Sequence, residues 1–236
     1  MSEDAGRPAS GGGGYIPPQG GEATNCAFTL DHYRELLDAA RAGGYWFAHF
    51  DELPGRGVVL LRHDVDLSLE AALAMAAVEA DADVSSTYFL MTESVFYNLA
   101  STEGVSAIAR LRELGHRVGL HAVYTRAVLD ERFDPVVAWH NPDPEYMSAP
   151  IAGAVNVMQD GYFDPPTYRS DSNQRWRFGC PHTELRSAGF PWLQLLTHPE
   201  IWVYRGTTMG ATMRAMLDAE RERRLVQLAA DRIDLS

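Results

Sequence analysis

The sequence predicts an α/β protein built on parallel strands, either a doubly wound sheet or a barrel, and three observations carry that prediction. From residue 57 onward, short apolar runs alternate with amphipathic segments. The runs have the length and the continuous apolar character of strands buried on both faces. Several of them end directly in ionisable or hydrogen-bonding residues, as the carboxyl ends of parallel strands do when they deliver chemistry to one face.

Taken in order, residues 1–24 are rich in Gly, Pro and Ser and have almost nothing to bury, so a disordered tail is expected ahead of one domain over 25–236. Thr29 is placed to cap a helix carrying Tyr33, Leu36, Leu37 and Ala40 on one face, and Gly43 and Gly44 end it. Val58-Val59-Leu60-Leu61 reads as a buried strand. Ser68 caps a helix reaching Ala80, with Leu69, Ala72, Leu73, Ala76 and Ala77 inside. Residues 84–91 form the next strand, and 105–114 a helix with Ile108, Leu111 and Leu114 aligned and Gly115 closing it. Strands follow at 118–123 and 136–139, weaker ones at 154–158 and 167–169, and a stronger one at 192–196. A long amphipathic helix spans about 208–230. Strand and helix in alternation imply helical crossovers. The stretch 124–135 is too short for a long crossover helix, so the architecture is irregular there.

Composition narrows the partners. A chain of 236 residues with 46% hydrophobic and 22% charged residues is ordinary for a globular domain. Its formal charge of −12 argues against nucleic acid or an anionic membrane surface as the partner, since both need a basic footprint. No apolar run reaches the roughly 18 residues of a membrane span. The start, Met-Ser-Glu-Asp, lacks an export signal, so a cytoplasmic protein is expected. Cys26 and Cys180 lack metal-knuckle spacing and read as unpaired thiols.

Placement of the polar residues is the informative feature. Leu60-Leu61 runs into Arg62-His63-Asp64-Val65-Asp66, and Val118-Gly119-Leu120 into His121. Val136 to Trp139 runs into His140-Asn141, Tyr168-Arg169 into Ser170-Asp171-Ser172, and Leu193 to Leu196 into Thr197-His198. Asp64 and Asp66, two positions apart, fall on one side of a continuing strand. Two carboxylates there repel unless a cation or a proton lies between them. A divalent metal held by one carboxylate and two imidazoles meets that need and keeps positions open for water and substrate. The other carboxylate is then free to act as general base. Structural readings stand beside these: Asp64 and Asp66 capping the next helix or pairing with Arg62 and Arg175, His121 as a satisfied half-buried histidine, His140 stabilising a turn with Asn141-Pro142. His63, His116 and His182 read as structural, His32 and His49 have no assigned role, and Trp139, Trp176 and Trp202 read as packing.

Four segments in order, Leu61-Arg62-His63-Asp64-Val65-Asp66, Ser86-Thr87-Tyr88-Phe89, Leu114-Gly115-His116-Arg117-Val118-Gly119-Leu120-His121 and Leu196-Thr197-His198-Pro199, resemble the polysaccharide deacetylase superfamily. The resemblance runs from Gly57 to Trp202. It implies an irregular (β/α)7 barrel that removes acetyl-type groups from N-acyl sugars with a divalent metal, usually zinc. Carried over, Asp64 is the general base, Asp66 and His121 are metal ligands, His198 is the catalytic acid, and Arg175 orients the base. The pattern departs from the family at Thr125, where a second metal histidine is expected; His140, at the end of the next strand, is the candidate replacement. Asp171 is expected to orient His198 or another group of the rim.

The function expected is therefore a metal-dependent hydrolase acting on the amide bond of an N-acylated sugar or glycan. A catalytically silent sugar-binding or scaffold protein on the same fold is the alternative that Thr125 leaves open. A non-haem iron centre, which also uses two histidines and one carboxylate, is a third.

Overall fold

A computed structural model of the protein describes residues 27–51, 53–123 and 128–233. The tail expected over 1–24 and the departure at Thr125 lie outside these residues. In chain order the elements are α1 (Leu30–Ala42), β1 (Trp46–Ala48), β2 (Val58–Val65), α2 (Leu69–Asp81), β3 (Thr87–Leu90), α3 (Thr102–Glu113), β4 (Arg117–Val123) and β5 (Val136–His140). Then come α4 (Pro144–Met147), β6 (Val155–Asn156), β7 (Tyr168–Ser170), α5 (His182–Arg186), β8 (Trp192–Thr197), α6 (Pro199–Val203) and α7 (Met209–Ala230).

The sheet runs β6-β5-β4-β3-β2-β8-β7, with β1 added beside the first half of β2, and every pairing is parallel. It is strongly curled. Gln194 of β8 donates to the carbonyls of Val157 (2.9 Å) and Tyr162 (2.6 Å), just beyond β6. Five strand intervals separate β8 from β6, about 24 Å in a flat sheet. Contact across that distance requires an irregular (β/α)7 barrel, left open between the edge strands β6 and β7. Among the described residues no helix is long and apolar enough to cross a membrane.

Helix starts follow local chemistry. The side chains of Thr29, Ser68 and Thr208 accept the backbone N–H of His32 (3.2 Å), Ala71 (3.1 Å) and Ala211 (3.3 Å), each satisfying a donor that the first turn leaves free. Helix α2 lays Ala71, Ala72 and Ala76 against the sheet, small residues that allow close approach, with Met75 filling the space beside them. Strand β3 is shorter than the apolar run at 84–91 suggests. The N–H groups of Asp83 and Val84 fold back to Ala80 and Glu79, and Asp83 adopts φ +54. That left-handed cap uses up the first residues of the run before pairing can begin.

Strand β2 is buried along its whole length, and its period of two sends alternate residues to different cores. Val58 and Leu60 join the barrel interior with Phe89, Val136, Ala138 and Val157. Val59 and Leu61 face α1 and α2 with Leu36, Leu37 and Met75. His63 also faces outward, into a buried polar knot. Its Nε2 meets Glu79 at 2.8 Å and its Nδ1 meets Thr197 at 2.7 Å. Glu79 also accepts from Tyr33, from Ser86 (2.6 Å) and from Tyr88 (2.8 Å). His116 reaches the Ala76 carbonyl at 3.0 Å. The structural readings of His63 and His116 therefore agree with their positions.

Gly119 faces the interior of β4, where an added Cβ would lie 2.5 Å from the Phe89 ring and 3.0 Å from Val136. Gly119→Ala is expected to destabilise the fold by about 1–3 kcal/mol through overpacking, read as a lower thermal midpoint. The Glu79 knot sets an acid limit. Burial opposes ionisation of Glu79, but His63, His116 and the hydroxyl donors outweigh it and hold its carboxyl down at about 2. A depressed folded-state pKa contributes stability that is full above the ordinary value near 4.5 and is lost as the pH falls towards 2. The thermal midpoint should fall between about pH 5 and pH 3, and Glu79→Gln should start lower and show a shallower fall. An unchanged slope in that variant would locate the acid sensitivity elsewhere.

Candidate metal centre

The inward face of β2 carries Arg62 and Asp64, and Asp66 follows just past the strand end. Asp64 is 3% exposed, and it is gripped by a bidentate pair: Arg62 Nε to Oδ1 at 2.8 Å and Nη2 to Oδ2 at 2.7 Å. Arg–x–Asp on a strand puts both side chains on one face, so this clamp comes from the strand itself. Burial would push the Asp64 carboxyl up. Arg62, with His121 and His198 nearby, holds it below the usual carboxylate range.

The expectation that Arg175 orients Asp64 is corrected here. Arg175 is exposed in the loop after β7, where its backbone N–H bonds to the Asp171 carbonyl, while both Asp64 oxygens take their donors from Arg62. The pairing of Asp64 with Arg62 that stood as a structural alternative is present, and it coexists with the cluster around Asp66.

Three donor atoms converge above Asp64. His121 Nε2 lies 3.0 Å from Asp66 Oδ1 and 3.1 Å from His140 Nδ1, and His140 Nδ1 lies 3.4 Å from Asp66 Oδ1. Sheet register explains the approach: His121 pairs with Ala138, so His140 is the next residue of β5 on the same face. Asn141, at φ +48, turns the chain away directly afterwards. His121 Nδ1 is 3.0 Å from the Ala138 carbonyl, which only an N–H can satisfy. In the neutral ring Nε2 then carries a lone pair aimed at the Asp66 carboxylate. Asp66 Oδ1 is buried and makes no geometrically sound hydrogen bond among the described residues, despite its short distance to His121. A proton on His140 Nδ1 would serve one neighbour; a divalent cation serves all three.

The spacing fits such an ion. Ligands held at 2.0–2.1 Å stand about 3.0 Å apart at octahedral angles and about 3.4 Å apart at tetrahedral ones. The residues present therefore suit a divalent cation bound by Asp66, His121 and His140. The close approach of the His121 and His140 imidazoles outweighs burial and holds the Asp66 carboxyl well below the usual range; Asp66 in turn raises His140.

His198 stands opposite Asp64, at the N-cap of α6. Its Nδ1 is 2.6 Å from Asp171 Oδ1, and its backbone N–H donates to Asp171 Oδ2 at 3.0 Å. Trp202 Nε1 donates to the same oxygen at 2.7 Å. Asp171 is fully buried, and the ring it orients points Nε2 towards Asp66 Oδ2, 4.0 Å away. Burial disfavours a charged imidazole there. Asp171, aided by Glu200 and Asp64, more than reverses that and lifts His198 to about 10. Trp202, read from the sequence as packing, also anchors Asp171. A cleft of about 340 Å³ opens over the cluster, with Asp66, His140 and His198 in its walls.

Fold and site together define a parallel α/β barrel with a two-histidine, one-carboxylate cluster at the carboxyl ends of its strands, flanked by a second aspartate and an aspartate-backed histidine. No family model matches the sequence, and no curated protein sequence matches it. A solved structure, a peptidoglycan deacetylase of Bdellovibrio bacteriovorus, is similar at TM-score 0.34 and 14% identity over 78% of this chain and 54% of that one. The chain thus spans about half the length of the structure it matches. At that level of likeness the chemistry has to be read from the site itself.

One equivalent of zinc is expected to bind the purified protein, measured by competition with a chelating dye. His140→Ala should weaken that affinity about tenfold or more. Equal affinities would remove His140 from the ligand set.

Proposed function

We propose that this protein is a metal-dependent hydrolase that removes an acetyl-type group from the nitrogen of a sugar or sugar conjugate, with zinc as the metal. The observation that carries the reading is the convergence of Asp66, His121 and His140 on one point, with a base and an acid of opposite electrostatic character on either side. A silent binding protein needs no such polarised pair, and neither does an iron oxygenase.

A cation in that cluster would supply Lewis-acid chemistry, acidifying water and polarising an acyl carbonyl. The chain's own groups account for the protons. Asp64, anchored by Arg62, stays ionised and accepts a proton from the attacking water. Its guanidinium clamp makes it a weak base, suited only to a water already made acidic. The water oxygen bonds to the acyl carbon, and the carbon–nitrogen bond breaks. His198, held as imidazolium by Asp171, passes the proton on Nε2 to the departing nitrogen. The products are a carboxylic acid and an amine, and atoms balance against amide plus water.

The test is acetate release from a panel of N-acetylated sugars by zinc-reconstituted protein. Asp64→Asn should cut turnover by roughly 10²-fold or more while keeping zinc. Asp171→Asn should cut it comparably through the wrong His198 tautomer and a lowered His198 pKa, with KM little changed. Sugar binding without acyl release by the reconstituted protein would sink the hydrolase reading in favour of a silent binder. Oxygen uptake with iron and a 2-oxoacid would favour the iron centre.

A further inference from the structure

Beyond the residues assigned above, the cleft wall contains a buried acid that the proposed reaction does not use. Glu200, the second residue of α6, is 1% exposed, and its Oε2 has no hydrogen-bond partner among the described residues. It lines the same cleft as Asp66, His140 and His198. Its neighbour on the chain, Ile201, packs into the main core, so the helix turn carrying Glu200 is held in place from below. A buried carboxyl oxygen left without a partner destabilises a fold, and where one persists beside a cleft a water, an ion or a ligand group can complete it. Burial, with Asp66 and Asp171 adding like charge, lifts Glu200 to about 8 against the opposing pull of His198. At neutral pH it is mainly an uncharged acid, able to donate one hydrogen bond and accept another.

The cleft also restricts what it admits. Among the described residues its titratable walls are Asp66, Glu93, Glu200 and the two histidines, with no arginine or lysine among them. Among the described residues, a phosphorylated or carboxylated ring would find no cation there other than the histidines.

We propose that Glu200 is the specificity-determining residue of the cleft, and that its carboxyl group hydrogen-bonds a hydroxyl of an uncharged N-acyl sugar. This rests on the hydrolase reading for the identity of the ligand but not for the existence of the recognition contact.

The experiment compares wild type, Glu200→Gln and Glu200→Leu on N-acetylglucosamine and its monodeoxy analogues. Glu200→Gln, which keeps a donor and an acceptor, should retain most of kcat/KM. Glu200→Leu should lose about tenfold or more, chiefly in KM, with zinc content unchanged. One deoxy analogue should lose the same factor with wild type and nothing further with Glu200→Leu, the non-additivity that marks a direct pair. The thermal midpoint of Glu200→Leu should equal or exceed that of wild type, because an unpartnered buried carboxyl has been removed. A lower midpoint with a parallel loss of activity would make Glu200 structural and overturn the proposal, as would an unchanged kcat/KM in Glu200→Leu. Should wild type release no acyl group from any sugar, the hydrolase reading fails on its own. Glu200 is then judged by calorimetric affinity for the same sugars: a tenfold loss confined to Glu200→Leu supports it, and equal or absent binding overturns it.

Discussion

The alternation of β2 is the constraint on which the rest depends. All eight residues of this strand are buried, and the charged and polar ones are divided between its two faces. Inward, Arg62 and Asp64 neutralise each other inside the barrel. Outward, His63 ties α2 to β8 through Glu79 and Thr197. A slip of one residue would exchange these faces, placing a carboxylate among apolar helices and an imidazole in the barrel without partners. The two polar systems therefore hold one register between them, and Asp66 inherits its position from it.

Because Arg62 lies on the same strand as Asp64, the proposed base is positioned without help from any loop. The proposed acid, His198, is built differently. Asp171 arrives from the end of β7, and the backbone N–H and ring of His198 and the indole of Trp202 from α6 converge on its carboxylate, satisfying it three times over so that it can stay buried. The consequence is a site with a poor proton acceptor on one side and a strongly held proton on the other. Environments that push two titratable groups apart in this way separate the roles of base and acid within one cleft.

The cluster between them shows how one strand can supply what another lacks. His140 reaches His121 because parallel pairing of β4 and β5 puts it one step further along the same face. Glycine at 119 makes room beneath His121 for Phe89, so the cluster rests on packed side chains.

Much of this was determined by the sequence alone. Strand ends carrying Asp64, Asp66, His121, His140 and His198 were readable because buried parallel strands leave a clear apolar signal that stops where the chemistry starts. The caps at Thr29 and Ser68 were readable because a cap is local. Only the tertiary structure decided that Arg62, not Arg175, holds Asp64, and that His140 stands beside His121. It brought Asp171 within hydrogen-bond reach of His198 and set Glu200 in the cleft wall with one carboxyl oxygen unpartnered among the described residues. The Arg62 clamp follows from the alternation of β2 itself once the strand continues through Asp64; the other relations depend on how far the sheet curls and on the register between strands. Such distances are set by packing the whole barrel interior, and no local run of residues encodes them.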